Sequence, residues 1–195
     1  LEWGSWEDFK LIRERLIVED ASYEFDVGKL RKKLLLMKIQ EQISDPETAN
    51  ELSEKAFQLF FKERNKVEFF PYVLDEIEKL AQIYELGCLT NGNADIEMIG
   101  IGKFFKFNIS SKDVNANKPN KNHFQKAVEL LGISKEEILH IGDHKINDMV
   151  GAISYGVKAL WFNPDKEDWD LDDIKKPSEF NSWQGVTEKI NNFYS

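Results

Sequence analysis

Apolar residues in the first third of the chain recur at three- and four-residue spacing, which is the period of an amphipathic helix. This pattern predicts helices over residues 27–43 and 48–62. The periodicity breaks after residue 66, and a further helix is predicted over residues 71–80. We therefore expect a separate helical domain over residues 1–66.

From there to the carboxyl terminus, short apolar segments alternate with helical ones. Strands are predicted over 84–90, 107–110, 138–141 and 157–162, and helices from 94, over 119–131 and 147–155, and from 182. Strands that alternate with helices form a parallel sheet with helical crossovers. Residues 67–195 are accordingly predicted to form an α/β domain.

Charge and composition narrow the functional classes. Lys and Arg number 26 against 35 Asp and Glu, a net charge of −9, with no basic stripe along the chain. Nucleic acid is therefore an unfavoured partner. The apolar runs are too short to cross a membrane and no signal sequence is evident, so a soluble, cytoplasmic protein is expected. The single cysteine, Cys88, excludes an internal disulfide.

Two carboxylates follow the strand predicted to end at residue 141. Asp143 lies at the strand end and Asp148 enters the next helix, so both can face one cation, and hard oxygen ligands suit Mg²⁺. In the alternative interpretation, Asp143 caps the helix and Asp148 is a first-turn acid that the helix dipole favours. His144, between them, is predicted to face solvent, whereas His123 is predicted at the surface and His140 in the core.

Polar residues also follow an earlier strand and open a later helix. Thr90, Asn91 and Gly92 leave a strand at a turn, where a hydroxyl and backbone N–H groups can hold phosphate oxygens. Lys118 precedes Pro119 at a predicted helix start, where a cation is favoured only beside an anion. The alternatives are a plain Asn-Gly turn and an exposed loop lysine.

In this order, the three sites resemble motifs of the haloacid dehalogenase-like hydrolases. The matching segments are 89–94 (LTNGNA), 117–119 (NKP), 138–143 (ILHIGD) and 148–152 (DMVGA). They resemble the second, third and fourth motifs of that superfamily. The first and third of these segments are also similar to the bacterial subgroup that dephosphorylates flavin mononucleotide and a ribitylamino-uracil phosphate.

The resemblance implies a Rossmann-like core with a helical cap, and a Mg²⁺-dependent phosphatase that acts on a small phosphorylated metabolite through a phosphoaspartyl intermediate. It implies that Thr90 and Lys118 are catalytic, and that both bind the substrate together with Asn91 and Gly92. It also implies that Asp143 and Asp148 hold Mg²⁺. The cap would select the leaving group.

One family feature is absent from these residues. Family members begin with a strand that ends in Asp-x-Asp and supplies the nucleophile, and no such segment precedes the helical part here. The spacing recurs at Asp170 and Asp172, but in an acidic stretch with no apolar strand before it. We expect a phosphatase truncated at its amino end and inactive in this form.

Two other functions stay open. Without a nucleophile, the chain could be a binding module for a phosphorylated ligand or a protein partner. A dehalogenase would need neither a metal nor the second acid of the pair, so Asp143 and Asp148 favour phosphate chemistry.

In the family, the missing strand lies between the strands that end here at residues 90 and 141. Its absence leaves two unpaired strand edges, which invite pairing with another chain. We expect those two strands either to pair directly with each other or to form a homodimer through their exposed edges.

Overall fold

The computed structural model describes residues 5–194, with side chains up to residue 192. Residues 1–4 of the predicted helical domain lie outside this range. The helical part contains α1 (Trp6–Glu19), a 3₁₀ turn (Ala21–Glu24), α2 (Val27–Gln40) and α3 (Pro46–Arg64). Its core is formed by Leu16, Leu30 and Leu34, with Phe9, Ile12, Tyr23 and Met37 packed around them.

Both longer predicted helices of this part are present, and carboxylates begin them. Asp26 accepts a hydrogen bond from the Lys29 N–H at 2.8 Å, and Asp45 accepts one from the Thr48 N–H at 2.9 Å. Such caps satisfy N–H groups that have no partner within the helix. The α3 helix runs from Pro46 to Arg64, two residues beyond the prediction at each end. The domain boundary near residue 66 stays a prediction.

The remainder alternates strands with helices, as predicted. Its elements are α4 (Val73–Ala81), β1 (Gly87–Thr90), α5 (Ile96–Ile99), β2 (Phe107–Ser110), α6 (Ser111–Val114), α7 (Asn122–Leu131), β3 (Leu139–Gly142), a π-helical turn (Lys145–Val150), α8 (Gly151–Tyr155), β4 (Lys158–Phe162), β5 (Ser178–Phe180) and α9 (Val186–Tyr194). The sequence pattern missed β5, which is only three residues long. It also placed the start of α7 three residues early, at Pro119.

All strand pairs are parallel, which confirms the predicted fold class. β1 pairs with β2, and β3, β4 and β5 pair in that order. Within the described residues β1 and β3 do not pair with each other, so the expectation of direct pairing is wrong. Dimerisation through these edges stays a prediction.

The two sheets nevertheless share two helical layers. On one face, α4 and α9 pack on a cluster of Leu80, Leu160, Phe162, Phe180, Val186 and Ile190, which Leu86 and Ile141 extend. On the other face, α7 and α8 pack on a cluster of Phe124, Met149, Ala152, Val157, Ala159 and Trp161, which Leu89 extends. The segment with β1 thus contributes to the same two cores as β3–β5, and one interrupted sheet results.

A cleft separates β1 from β3. Its volume is about 1300 Å³, and residues of both strands line it. Three of the four β1 residues and all four of β3 are half-buried, whereas four of the five β4 residues are buried. The strand around Cys88 is therefore only half-buried, because its free edge faces the cleft. None of the helices in the described range is long and apolar enough to span a membrane.

Candidate active site

An ion pair lies at the carboxyl ends of the strands that flank the cleft. The Lys118 Nζ is 2.6 Å from Asp148 Oδ1, and both side chains are more than nine-tenths buried. The same ammonium donates a hydrogen bond to the Leu89 carbonyl oxygen at 2.8 Å. Lys118 therefore links β1 to the π-helical turn after β3, and its side chain lines the cleft.

Asp148 is held by the protein on both carboxylate oxygens. His140 Nε2 lies 3.1 Å from Oδ1, and the His144 N–H donates to Oδ2 at 3.1 Å. Burial alone would raise the pKa of Asp148, but the hydrogen bond to His140 and the charge of Lys118 outweigh it. The pKa of this carboxyl consequently lies well below its ordinary range, and Asp148 is ionised at neutral pH.

Gly142 makes room for this carboxylate. A Cβ at Gly142 would lie 2.4 Å from the Asp148 Cγ, far inside van der Waals contact. Any other residue at the end of β3 would displace Asp148 from the lysine. The glycine in the predicted motif is thus required by the packing of the acid.

The loop after β1 is ordered by its own hydroxyl and by a histidine. Thr90 Oγ1 accepts a hydrogen bond from the Gly92 N–H at 2.9 Å. His123 Nε2 lies 3.2 Å from the Thr90 carbonyl oxygen, and because a carbonyl can only accept, this nitrogen carries the proton. His123 is fully buried, so its predicted surface location is wrong.

The Asn91 side chain binds the backbone of Lys118. Its Nδ2 donates to the Lys118 carbonyl oxygen at 2.9 Å, and its Oδ1 accepts from the Lys118 N–H at 2.7 Å. The Ser111 hydroxyl is 3.2 Å from the same Oδ1. The amide of Asn91 is therefore engaged inside the protein, and it fixes the segment that carries the lysine.

Asp143 differs from Asp148 in its exposure. Its side chain is exposed at the cleft, while its carbonyl oxygen accepts a hydrogen bond from Trp161 Nε1 at 2.8 Å. The helix cap expected of Asp143 in the alternative interpretation is provided by His144, whose Nδ1 accepts from the Ile146 and Asn147 N–H groups. His144 is exposed, as predicted.

The second Asp-x-Asp spacing lies in a loop outside the sheet. Residues 169–173 form no strand. Lys145 Nζ lies 3.0 Å from Asp170 Oδ1 and donates to the Asp168 carbonyl oxygen at 2.9 Å. Asp170 thus pairs at the surface, in agreement with the predicted acidic loop.

The donor set suits a hard cation that shares its shell with a substrate. Asp143 and Asp148 both line the cleft, and their oxygens are ligands of the type that Mg²⁺ prefers. The described residues contain no group of three or more His, Cys, Asp or Glu that could hold a metal. Mg²⁺ is commonly bound by one or two carboxylates, with water and substrate phosphate completing the shell. The residues therefore fit Mg²⁺ in such a shared site.

Comparison with known proteins shows the family to which this chain belongs. The model of the haloacid dehalogenase-like hydrolase family matches residues 18–162, and the chain belongs to that family. The 5-amino-6-(5-phospho-D-ribitylamino)uracil phosphatase YigB of Escherichia coli K12 is 29% identical over 168 residues, which cover 84% of this chain and 71% of that protein. This similarity confirms the resemblance to that phosphatase subgroup.

Other relatives show the breadth of the family. The phosphoserine phosphatase of Thermus thermophilus is 29% identical over 140 residues, which cover 69% of this chain but only 55% of that protein. A crystal structure of a 2-haloacid dehalogenase from Pseudomonas syringae has a TM-score of 0.90 at 30% identity, and the match covers 97% of this chain and 82% of that one. A phosphatase of the same family from Thermococcus onnurineus has a TM-score of 0.61 at 23% identity and supports the fold alone, with 83% of this chain and 89% of that one covered.

Proposed function

We propose that this protein is a Mg²⁺-dependent phosphomonoester hydrolase that acts on a small phosphorylated metabolite. The observation that carries the proposal is the buried Lys118 ammonium, which bridges the Leu89 carbonyl and Asp148 in the lining of the cleft. A fixed cation at this place can neutralise the charge of a transferring phosphoryl group. The phosphatases among the relatives support the same chemistry.

The loop after β1 would bind the phosphoryl oxygens. The Thr90 oxygen already accepts a hydrogen bond from the Gly92 N–H, so its own proton is free to be donated to a phosphate. Because the side chain of Asn91 is engaged with Lys118, its contact with substrate would be made by the backbone N–H. Lys118 would neutralise the phosphoryl group and orient the attacking carboxylate.

Mg²⁺ would be held by Asp143 and Asp148. Bound there, it would screen the charge of the phosphoryl group during transfer. His140 and Lys118 hold the pKa of Asp148 low, which keeps it ionised, and Trp161 fixes the backbone of Asp143. These residues prepare the site before any ligand enters.

The nucleophile would come from an aspartate on a strand that occupies the cleft between β1 and β3. Its attack on phosphorus would break the ester P–O bond, release the alcohol and form the phosphoaspartyl intermediate, which water then hydrolyses to inorganic phosphate and the free aspartate. Lys118 lies beside the carboxyl ends of the flanking strands, as such an aspartate requires. Since residues 5–194 place no strand in the cleft, we propose that the 195 residues alone are inactive.

One relative indicates the kind of substrate. The relative YigB is named for a ribitylamino-uracil phosphate, which supports a small phosphorylated metabolite for this chain, flavin mononucleotide being another candidate. The helical part would select the leaving group. A cytoplasmic location and the absence of a nucleic acid partner stay predictions.

The test compares three proteins in phosphate release from p-nitrophenyl phosphate and flavin mononucleotide, with and without Mg²⁺. They are the 195-residue chain, the chain with an added amino-terminal strand that ends in Asp-x-Asp, and the same extension with Asn-x-Asn. We expect Mg²⁺-dependent turnover from the Asp-x-Asp form only, and its loss on Asp143→Asn or Lys118→Met.

The other outcomes are equally informative. Turnover by the 195-residue chain that Asp143→Asn abolishes would mean that a carboxylate within it is the nucleophile, with Asp170 and Asp172 the first candidates. Should the Asp-x-Asp form bind both esters without turning them over, the chain is a binding module for phosphorylated ligands. Absence of both binding and turnover would refute the phosphate site.

A further inference from the structure

The end of α3 contacts the loop that follows β1. Arg64 Nη1 donates a hydrogen bond to Asn93 Oδ1. Its Nη2 lies 3.7 Å from the position that a Cβ on Gly92 would occupy. Gly92 lines the cleft, and its N–H donates a hydrogen bond to the Thr90 hydroxyl oxygen. A guanidinium from the helical part therefore lies against the proposed phosphate-binding loop.

A second guanidinium approaches from α2. Arg31 stacks on the Phe60 ring, with its Cζ 3.9 Å from the ring centroid. Phe60 lies one helical turn before Arg64, and residues so spaced share a helix face. On α2, Arg31 similarly follows Gly28 by three residues, and a Cβ there would lie 3.4 Å from Asn93 Nδ2. Both arginines thus lie on helix faces directed at this loop.

Neither arginine has a carboxylate partner within ion-pair distance in residues 5–194. Desolvation, and then the positive charge of Arg64, lower the pKa of Arg31. Two positive charges close together repel each other unless an anion lies nearby. Although the chain has more acidic than basic residues, its described part places no carboxylate within ion-pair distance of these two arginines. Arg31 is exposed and Arg64 half-buried, so a solute can reach them.

We infer that Arg31 and Arg64 form a binding subsite for a second anionic group on the leaving-group side of the substrate. The guanidinium fork matches carboxylate and phosphate oxygens in a bidentate manner. The inference rests on the proposed phosphatase function and narrows its substrate class: the metabolite carries, besides the phosphate ester, a carboxylate or second phosphate. Neither flavin mononucleotide nor the ribitylamino-uracil phosphate carries such a group, so both should be poorer substrates than a doubly anionic ester. The subsite lies on the helical part, next to the loop that holds the phosphoryl group.

The experiment is calorimetric titration of the 195-residue chain, in Mg²⁺, with 3-phosphoglycerate and with glycerol 3-phosphate. The two probes share the phosphate and the three-carbon skeleton. They differ at one end, where 3-phosphoglycerate has a carboxylate and glycerol 3-phosphate has a hydroxymethyl group. We expect 3-phosphoglycerate to bind about tenfold more tightly, in line with a charge-assisted bidentate contact. Arg31→Gln with Arg64→Gln should abolish that preference, so that the variant binds the two probes equally.

The matched control is Lys33→Gln with Lys62→Gln. Lys33 lies two residues after Arg31 on α2, and Lys62 lies two residues before Arg64 on α3, so both lysines point to other helix faces than the arginines. Their substitution removes the same amount of positive charge. The control pair should keep the preference for 3-phosphoglycerate, and the circular dichroism melt of each variant should match the parent. A loss of preference in the control pair would mean that only overall charge matters, and the subsite would be refuted.

The outcomes separate the subsite from the underlying function. Equal affinity for the two probes in the parent chain would overturn the arginine subsite and leave the phosphate site standing. Binding of neither probe would overturn the proposed phosphate site and, with it, the subsite. A preference that survives the two arginine substitutions would place the anion elsewhere.

Discussion

The Asn91 side chain holds the backbone of Lys118 by two hydrogen bonds, one to its N–H and one to its carbonyl oxygen. This pair joins the loop after β1 to the segment before α7, across 27 residues of chain. The lysine at the cleft is thereby fixed through its backbone as well as through its ammonium. A residue that the sequence indicated as a substrate ligand thus also positions the cation.

Asn91→Ala tests this relationship. Loss of the amide leaves the N–H and carbonyl of Lys118 without their partners, and we expect a loss of about 2 kcal/mol of unfolding free energy. Glycerol 3-phosphate affinity should fall because the ammonium is no longer held in place. Denaturant titration and calorimetry measure the two effects. Asn108→Ala, an exposed asparagine of β2 with a single long contact of 3.5 Å, is the control, and equal losses in both variants would contradict the assignment.

The buried pair of Lys118 and Asp148 should be strongly coupled. Removing either partner leaves the other charge buried, which typically costs about 3–5 kcal/mol. In a double-mutant cycle of Lys118→Met and Asp148→Asn, we therefore expect the double variant to be more stable than the sum of the single losses predicts.

The comparison pair for that cycle is Lys32 and Glu54, whose side chains are about half exposed. Solvent screens such pairs, so their coupling should be indistinguishable from zero. Coupling of equal size in the two cycles would show that burial of Lys118 and Asp148 does not matter.

Glu76 should make the free energy of unfolding depend on pH. It is 3% exposed, and it accepts hydrogen bonds from Lys79 at 2.8 Å and from the Thr187 N–H of α9 at 2.8 Å. Burial raises the pKa of Glu76, but these bonds outweigh it and lower the pKa from 4.5 to about 2. Because the folded pKa is the lower one, the stabilisation is complete above pH 4.5 and is lost as the pH falls toward 2.

Unfolding free energies measured between pH 7 and pH 2.5 should show this loss. Glu76→Gln should lower stability at pH 7 by about 2 kcal/mol and flatten the acid slope. Glu78→Gln, an exposed acid on the same helix, should do neither. An unchanged slope in Glu76→Gln would mean that other carboxyls govern the acid response.

His123 should stay neutral, with its proton on Nε2. Burial lowers its pKa from the ordinary 6.5. The unfolded chain therefore takes up a proton below pH 6.5 that the folded chain does not, and stability falls as the pH drops through that value. Nitrogen-15 NMR should find Nε2 protonated and Nδ1 unprotonated at pH 6.

Stability measured at pH 7.5 and 5.5 provides the second readout. His123→Gln should reduce the loss between these values without removing it, because burial lowers the pKa of His140 as well. A charged His123 at pH 6, seen as protonation of both ring nitrogens, would contradict the neutral state that burial favours.

Local patterns along the chain were enough to predict the alternation of helices and strands and the residues at their ends. Periodic apolar positions predicted the helices and most strands. The motif residues lie at the predicted places: Thr90 ends β1, Asp143 and Asp148 follow β3, and Lys118 precedes α7. Local spacing and capping carry this information because they involve neighbours in the chain. β5 was not predicted because three residues are too few to establish an alternating pattern.

The contacts of these residues depend on how the elements pack together in three dimensions. It brought His140 to Asp148, His123 to Thr90, and Asn91 to Lys118, and it kept β1 and β3 apart instead of pairing them. His123 shows the reason: a single histidine on an amphipathic helix does not by itself indicate burial, and its environment is set by a strand 33 residues away. Partners that are distant in sequence are fixed by how helices pack on both faces of the sheet, and a one-dimensional pattern does not contain that packing.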